Sequence, residues 1–223
     1  MHIKRNKKIF FYIFLFLIIG TFNNKNLNNI NFPNIKKVEI IGLDDKANSE
    51  LRQKLSFLKI YNLFSIDEAE IKDEISTNNL IESYSVFKKY PKNLEIEIKK
   101  TEFLAYVKKG DNTFFLGSNG KLINTKKTDL KLPIIFGNFE IDNFFKLKQI
   151  IDKTSFDYKS IENLFFFKSG RWDIETFSGI LIRLPNERLG ESLKLVMKIM
   201  QEKDFGSFQE IDLRQRNQLI TNG

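Results

Sequence analysis

The pattern of hydrophobic and polar positions divides the chain into one apolar run and two regions of alternating strand-like and helix-like segments. The run Ile9–Phe22 is apolar or aromatic at nearly every position and lacks the polar face of a surface helix. Lys4, Arg5, Lys7 and Lys8 precede it, and basic residues followed by an apolar run are typical of an export signal or a membrane anchor.

The length of this run leaves two interpretations open. Fourteen helical residues reach about 21 Å, whereas the hydrocarbon core of a bilayer is about 30 Å thick. That length favours a cleaved signal peptide. The lack of a small-residue cleavage site and the flanking Lys8 and Lys25 favour an uncleaved transmembrane anchor. We predict the anchor, with a cytoplasmic tail at 1–8, the anchor at 9–22, an Asn-rich linker at 23–34 and all later residues exported.

Residues 35–103 are predicted to form a first exported domain with the order β-α-α-β-β. A β-branched strand over Ile35–Ile41 is followed by a helix over Ser49–Phe57 capped by Asn48. Ser65 and Glu68 form a capping-box pattern before a second helix. Two strands follow, Ile81–Lys88 and Leu94–Lys99, and the second alternates apolar with charged residues as in a sheet with one solvated face.

Residues 104–223 are predicted to form a second domain, a mostly antiparallel sheet with flanking helices, so that the fold class is α+β. The sequence of Gly117–Gly120 predicts a tight hairpin turn. A helix is expected at Ile141–Ile151, with Phe144, Leu147 and Ile151 facing inward. A second, amphipathic helix is expected at Leu189–Glu202, with one apolar face formed by Leu193, Val196, Met197 and Met200. Strand segments are predicted at Thr113–Leu116, Lys121–Ile123, Ile161–Lys168, Arg171–Glu175 and Gly179–Leu184. Leu132–Gly137 is a short buried segment, and Phe208–Leu213 and Gln218–Thr221 are apolar stretches near the end of the chain.

Composition excludes several classes of function. The chain has no cysteine and a single histidine, His2, which excludes thiolate catalysis, cysteine-ligated metals and multi-histidine sites. The net charge is +8, but residues 1–25 carry +5 of it, so the folded part lacks the basic excess expected of a nucleic-acid-binding protein. We therefore predict no cofactor, no metal and no nucleic-acid partner.

Candidate catalytic patterns have simpler explanations. Ser-x-x-Lys occurs at Ser56–Lys59, Ser85–Lys88 and Ser118–Lys121, but its partner motifs Ser-Asp-Asn and Lys-Thr-Gly are absent. Acidic residues at Asp67–Glu70 open a helix, where they stabilise the helix dipole, and Glu95 with Glu97 lies on a solvated strand face. Trp172 is expected in the core. The sequence predicts a protein that is not an enzyme.

The end of the chain carries the candidate binding site. A terminal strand within Gln209–Thr221 leaves an open sheet edge, whose unpaired backbone groups can accept a strand from a partner. Polar residues there protect the edge, and Leu213, Leu219 and Ile220 offer apolar side chains to partner pockets. The predicted binding residues are Leu213, Arg214, Gln215, Arg216, Asn217, Gln218, Leu219 and Ile220. An ordinary last strand without a partner is the alternative.

Several motifs resemble, in order, the POTRA domain and β domain of the FtsQ/DivIB cell-division family. They are VEIIG (Val38–Gly42), NLFSID (Asn62–Asp67), IESYSVFKKYPKNLEIEIKK (Ile81–Lys100), LGSNGKLI (Leu116–Ile123), LPIIFG (Leu132–Gly137), RWDI (Arg171–Ile174), GILIRLP (Gly179–Pro185) and IDLR (Ile211–Arg214). Phe103 departs from the proline usual in the family, which is expected to loosen the junction between the domains.

The resemblance implies a non-enzymatic divisome scaffold that links early and late division proteins and regulates septal peptidoglycan synthesis. It implies a single-pass inner-membrane protein with a cytoplasmic N-terminus and periplasmic domains, enriched at the septum. The last strands of the β domain are expected to bind proteins resembling FtsB and FtsL, and the POTRA domain other division proteins. Two alternatives remain: a POTRA component of outer-membrane assembly or secretion, and a signal-anchored cell-wall enzyme.

Overall fold

The structure is a computed structural model that describes residues 3–21, 31–124, 130–201, 209–215 and 220–222. Residues 9–21 of the apolar run lie in helix α1, Ile3–Thr21, in which the side chains from Lys7 to Ile19 are all exposed. The helix begins six residues before the predicted anchor and therefore includes the four basic residues. Among the described residues, no helix combines the length and the apolar character needed to cross a membrane.

The first domain has the predicted β-α-α-β-β order. Its elements are β1 (Lys37–Ile41), α2 (Asp45–Lys54), a 3-10 helix (Leu55–Ile60), α3 (Glu68–Ser76), β2 (Ile81–Lys89) and β3 (Asn93–Lys100). The strand order is β1-β3-β2, with β1 parallel and β2 antiparallel to β3. The alternating residues Leu94, Ile96 and Ile98 of β3 are buried under the helices, as the period-two pattern predicts.

Both predicted helix caps in this domain are wrong. Asp44 caps α2 by accepting a hydrogen bond from Ala47 N at 2.9 Å, while Asn48 bonds both backbone groups of Leu43. Asp67 caps α3, and Ser65 instead belongs to the preceding turn. In each case an aspartate lies directly before the first helical turn and supplies the acceptor for its free N–H groups.

Within the residues that the structure describes, the second domain is one nine-stranded sheet with two α-helices on one face. Its elements are β4 (Phe103–Lys109), β5 (Asn112–Gly117), β6 (Leu122–Ile123), β7 (Ile134–Phe136), α4 (Ile141–Asp152), a 3-10 turn (Tyr158–Ser160), β8 (Ile161–Phe166), β9 (Trp172–Thr176), β10 (Leu181–Arg183), α5 (Leu189–Met200), β11 (Glu210–Asp212) and β12 (Ile220–Asn222). The strand order is β12-β11-β10-β9-β8-β7-β4-β5-β6. Strand β4 has no counterpart among the predicted segments.

The sheet is mixed: five of the eight pairs between described strands are antiparallel, and the mostly antiparallel prediction missed the parallel ones. Three of the pairs between described strands are parallel: β4–β7, β7–β8 and β10–β11. Helix α4 connects β7 to β8, and α5 connects β10 to β11, so each helix is the crossover that a parallel pair needs. The two helices predicted as flanking elements therefore determine the direction of the strands after them.

The core of the second domain lies between the sheet and these two helices. Phe144, Leu147 and Ile151 of α4 are buried, as predicted, and so is Trp172. In α5 the buried residues are Leu193, Val196 and Ile199, whereas the predicted Met197 and Met200 are only partly buried. The opposite face of the sheet has no helix of the described chain packed against it.

The turn Gly117–Gly120 joins the two domains. Asn119 Nδ2 donates to the backbone oxygens of Asn79 at 2.8 Å and Ile81 at 2.9 Å. Ser118 Oγ donates to Glu82 Oε2 at 2.9 Å, and Lys121 Nζ donates to Ser76 O at 2.8 Å. Despite Phe103, the junction is a hydrogen-bonded contact between a second-domain turn and the first domain.

Replacement of Asn119 by alanine is expected to weaken this junction without unfolding either domain. The substitution leaves two first-domain carbonyls without their amide donor, a loss of about 1–3 kcal/mol. Because the chain has no cysteine, two introduced cysteines, at Ser83 and Asn163, allow spin labelling and a distance measurement between the domains. We expect a broader distance distribution in Asn119→Ala.

The matched control is Asn112→Ala. Asn112 is exposed at the other end of β5, and its side chain forms no hydrogen bond with the described residues. Equal distributions in the Asn119 variant, the control and the parent would show that the turn does not hold the domains together.

Candidate partner-binding surface

The terminal strand β12 leaves one edge of the large sheet unpaired by any described strand. Leu181 N donates to Gln209 O, and Leu213 N donates to Arg183 O. Residues 209, 211 and 213 therefore direct their backbone groups toward β10. Glu210 and Asp212 consequently face β12, where they lie opposite Asn222 and Ile220. The N–H and C=O of Thr221 then point away from the sheet.

The eight predicted binding residues have different positions. Leu213 is buried in the domain core, with 6% of its surface exposed, so it does not offer its side chain to a partner. Arg214 and Gln215 are exposed directly after β11, and Ile220 is 49% exposed on β12. Arg216, Asn217, Gln218 and Leu219 lie outside the described residues.

Three arginine–carboxylate pairs lie on the open face of the sheet, on strands β9 to β11 and the residues next to them. Arg214 Nε donates to both carboxylate oxygens of Asp212 at 2.9 Å. Arg171 Nε donates to Asp173 Oδ1 at 3.0 Å.

The third pair joins two neighbouring strands. Arg183 Nη2 donates to Glu210 Oε2 at 3.3 Å, and its buried Nε lies 2.9 Å from Glu210 Oε1 as an ion-pair contact. Register aligns Arg183 with Asp173 on one side and Asp212 on the other, so charges of opposite sign alternate across the strands.

A shallow groove of about 430 Å³ runs along the same face. Its lining residues combine aromatic, aliphatic and charged side chains: Phe165, Phe167, Arg171, Asp173, Glu175, Leu181 and Arg183. The Arg171 guanidinium lies 4.2 Å from the centre of the Phe167 ring. The groove lies on and next to β8, β9 and β10, so β11 and β12 separate it from the unpaired edge. The edge offers a partner backbone hydrogen bonds, and the groove offers apolar contacts and directed charges.

Sequence reasoning did not select Arg171, Asp173, Arg183 or Glu210 for this surface. The sequence pattern that could have identified them is alternation: these charged residues alternate with buried ones such as Ile174 and Ile182 in and next to short strands. Periodicity places such residues on the open face of their own strand, but it does not tell which strands are neighbours.

Substitution of Asp212 by asparagine is expected to make the second domain less sensitive to acid. Hydrogen bonds from Arg214 hold the pKa of this carboxyl below its ordinary value, more strongly than burial raises it. A depressed pKa contributes stability above the unfolded-state pKa of about 3.9, and this contribution is lost as the pH falls through the folded-state pKa. We expect the variant to be about 1–2 kcal/mol less stable at pH 7 and nearly equal to the parent at strongly acidic pH.

Urea denaturation followed by the fluorescence of Trp172, the chain's single tryptophan, measures this difference at each pH. Asp111→Asn is the control, because Asp111 is exposed in the β4–β5 turn and forms no ion pair with the described residues. A constant difference between Asp212→Asn and the parent over the whole pH range would contradict the assignment.

The serines of the three Ser-x-x-Lys patterns lie in different elements of the fold. Ser118 and Lys121 bond the first domain, Ser85 lies in β2, and Ser56 lies in the 3-10 helix. Among the described residues, no group of three or more histidine, aspartate or glutamate side chains is positioned to hold a metal ion.

The fold and the surface define a class: a POTRA-type β-α-α-β-β domain followed by a mixed-sheet domain with an unpaired terminal edge. Family comparison assigns residues 34–100 to the FtsQ-type POTRA domain and residues 105–214 to the C-terminal domain of the cell division proteins FtsQ and DivIB. The chain belongs to the FtsQ/DivIB family of cell division proteins.

Individual relatives agree with this assignment. The cell division protein DivIB of Clostridium botulinum (strain Loch Maree / Type A3) is 31% identical over 133 residues, which cover 59% of this chain and 50% of that protein. FtsQ of Bradyrhizobium diazoefficiens is 22% identical over 166 residues, covering 71% of this chain and 48% of the relative. The chain thus matches about half the length of these curated relatives.

The major extracytoplasmic domain of DivIB from Geobacillus stearothermophilus is a structural neighbour. It has a TM-score of 0.36 and 15% sequence identity, and the superposition covers 46% of this chain and 92% of that one.

Proposed function

We propose that this protein is a non-enzymatic scaffold of the divisome that binds a partner by pairing an extended segment with β12. The observation that carries the proposal is the outward direction of the Thr221 backbone at the unpaired edge. A partner strand added there gains main-chain hydrogen bonds, and its side chains lie next to those of β12. Division proteins resembling FtsB and FtsL are the proposed partners.

The groups around the edge give the pairing its selectivity. Arg214 is exposed and already holds Asp212, so its guanidinium is oriented toward the open face before a partner arrives. Acidic residues in the partner segment would therefore meet a positioned cation, and Ile220 would pack against an apolar partner residue. Regulation of septal peptidoglycan synthesis would follow from recruiting partners, without catalysis by this chain.

The same proposal includes location. The exposed apolar side chains of α1, among them Phe16 with 77% of its surface exposed, support attachment to the inner membrane through residues 9–22. The basic residues before them favour a cytoplasmic N-terminus and periplasmic domains at the septum. Recruitment of further division proteins through the POTRA domain belongs to the proposal, without particular residues.

In-cell photo-crosslinking tests the function. A photoreactive residue replaces Gln215 or Ile220 beside the β12 edge, and matched probes replace Ser85 on the edge strand β2 and Glu97 on the central strand β3. A dominant crosslink from the first two positions to a division protein, absent from Glu97, is the expected result. Folded, abundant protein without crosslinks at either position would contradict edge pairing, and normal division after depletion would contradict the division role.

A further inference from the structure

Three aromatic rings form an exposed cluster on the first domain, which we call the aromatic patch: Phe32, Phe64 and Tyr90. The ring centres of Phe32 and Phe64 are 4.3 Å apart, and those of Phe64 and Tyr90 are 5.5 Å apart. Their exposed fractions are 46%, 57% and 61%, although the domain has a complete core without them. A contiguous group of solvent-exposed rings is typical of a surface that contacts an apolar phase or a partner.

Local hydrogen bonds hold the patch in place. Asn62 Oδ1 accepts from Phe64 N at 2.9 Å, and Asn62 also pairs with Asn34, two residues beyond Phe32. The rings are thus presented from a bonded turn and a bridged segment, so little conformational freedom is lost when they bind.

Two exposed lysines follow residues of the patch closely in the chain, Lys36 four positions after Phe32 and Lys92 two positions after Tyr90. Lys36 N donates to Lys92 O at 2.8 Å, which brings together the segments that carry Phe32 and Tyr90. Both lysine side chains are exposed, and neither forms an ion pair with the described residues. Aromatic rings beside uncompensated lysines match the interface of an anionic bilayer, where rings lie at the headgroup level and cations attract the phosphates.

The position of the patch along the chain agrees with such a contact. Phe32 follows Thr21, the last residue of the apolar helix α1, by eleven residues, a distance of at most about 40 Å for extended chain. We propose that the aromatic patch lies on the surface of an anionic lipid bilayer and orients the first domain against the membrane. This inference rests on the proposed membrane attachment through residues 9–22.

Depth-dependent fluorescence quenching tests the proposal on the full chain. Because the chain contains no cysteine, an environment-sensitive fluorophore can be attached to single cysteines made by Phe64→Cys, Phe16→Cys and Phe177→Cys. Phe177 is the matched control, because it is an aromatic residue of the second domain with 51% of its surface exposed. The labelled chains are reconstituted with vesicles of phosphatidylethanolamine and phosphatidylglycerol that contain a headgroup-quenching lipid.

We expect loss of fluorescence at position 64 but not at position 177. In a second set of vesicles, the quencher is attached to the lipid acyl chains. Quenching of the fluorophore at position 16 in these vesicles reports the membrane attachment independently. Quenching at 16 without quenching at 64 would overturn the patch proposal and leave attachment intact. Quenching at 64 without quenching at 16 would instead overturn attachment through the helix. Equal quenching at 64 and 177 would mean non-specific adsorption and would also overturn the proposal.

Charge reversal supplies a second readout that leaves the rings unchanged. Each lysine near an anionic surface contributes about fivefold to binding, so Lys36→Glu with Lys92→Glu is expected to reduce quenching at position 64 on the order of tenfold or more. Vesicles of phosphatidylcholine alone are expected to give a similar loss. Energy transfer between labelled chains at position 64 in detergent without vesicles would indicate a protein partner and overturn the lipid assignment.

Discussion

A Gly137→Ala variant is expected to lose about 3 kcal/mol or more of stability in the second domain. A Cβ atom at this position would lie 2.2 Å from the backbone oxygen of Phe166, and the backbone φ is +101°. An L-residue at positive φ costs roughly 1–2 kcal/mol, and the contact with a backbone atom adds strain that a rotamer change cannot relieve. Gly137 directly follows β7, which pairs with β8, so the strain acts near the centre of the sheet.

Gly179→Ala separates the two contributions. Its φ is +81°, but a Cβ there meets nothing within 4 Å, so only the conformational cost of about 1–2 kcal/mol remains. Thermal unfolding followed by the fluorescence of buried Trp172 reports on this domain alone. We expect a melting temperature lower by about 10 °C or more for Gly137→Ala and clearly less for Gly179→Ala. Equal shifts would show that the close approach to Phe166 carries no cost.

A Thr221→Pro variant is expected to lose most of its partner binding while its fold remains intact. Proline removes the outward N–H of the edge and has no donor to replace it, whereas Ile220 and Asn222, which face β11, keep theirs. The partner carbonyl opposite Thr221 would then be buried without a donor. A loss of about 1–3 kcal/mol follows, which corresponds to roughly tenfold to hundredfold weaker binding.

The yield of the Gln215 crosslink, normalised to protein level, measures this effect in cells. Thr221→Ala is the control, because it shortens the side chain to a methyl group and preserves the backbone donor. We expect near-parental yield for alanine and a strong loss for proline, with unchanged melting curves for both. Parental yield from a folded proline variant would exclude strand addition at this edge and direct the search to the groove around Arg171 and Arg183.

Local sequence patterns predicted much of the architecture. The alternation in Leu94–Lys99 and the helical spacing of Phe144, Leu147 and Ile151 identified buried positions, because burial repeats with the period of the element itself. The same reasoning assigned the caps of α2 and α3 to the wrong residues. Several neighbouring polar residues satisfy the capping preference, and only the backbone path selects among them.

The positions of the predicted binding residues depended on tertiary structure more strongly than the positions of helices and strands did. Polarity predicts that Arg214 and Gln215 are exposed, and they are. Leu213 is predicted to offer its apolar side chain to a partner, but it packs into the core of its own domain. Apolar character indicates burial without telling against which surface a side chain is buried.

The sequence by itself determined the order of two domains after an apolar helix, most strands and helices, and the family to which the chain belongs. Tertiary structure alone decided that α4 and α5 make parallel crossovers and that Gly117–Gly120 bonds one domain to the other. It also decided that three arginine–carboxylate pairs share one face of the neighbouring strands β9 to β11. The physical reason is the range of the interactions. Propensity and periodicity act over a few neighbouring residues, whereas strand pairing and domain contact join residues far apart in the chain, whose local patterns do not identify their partners.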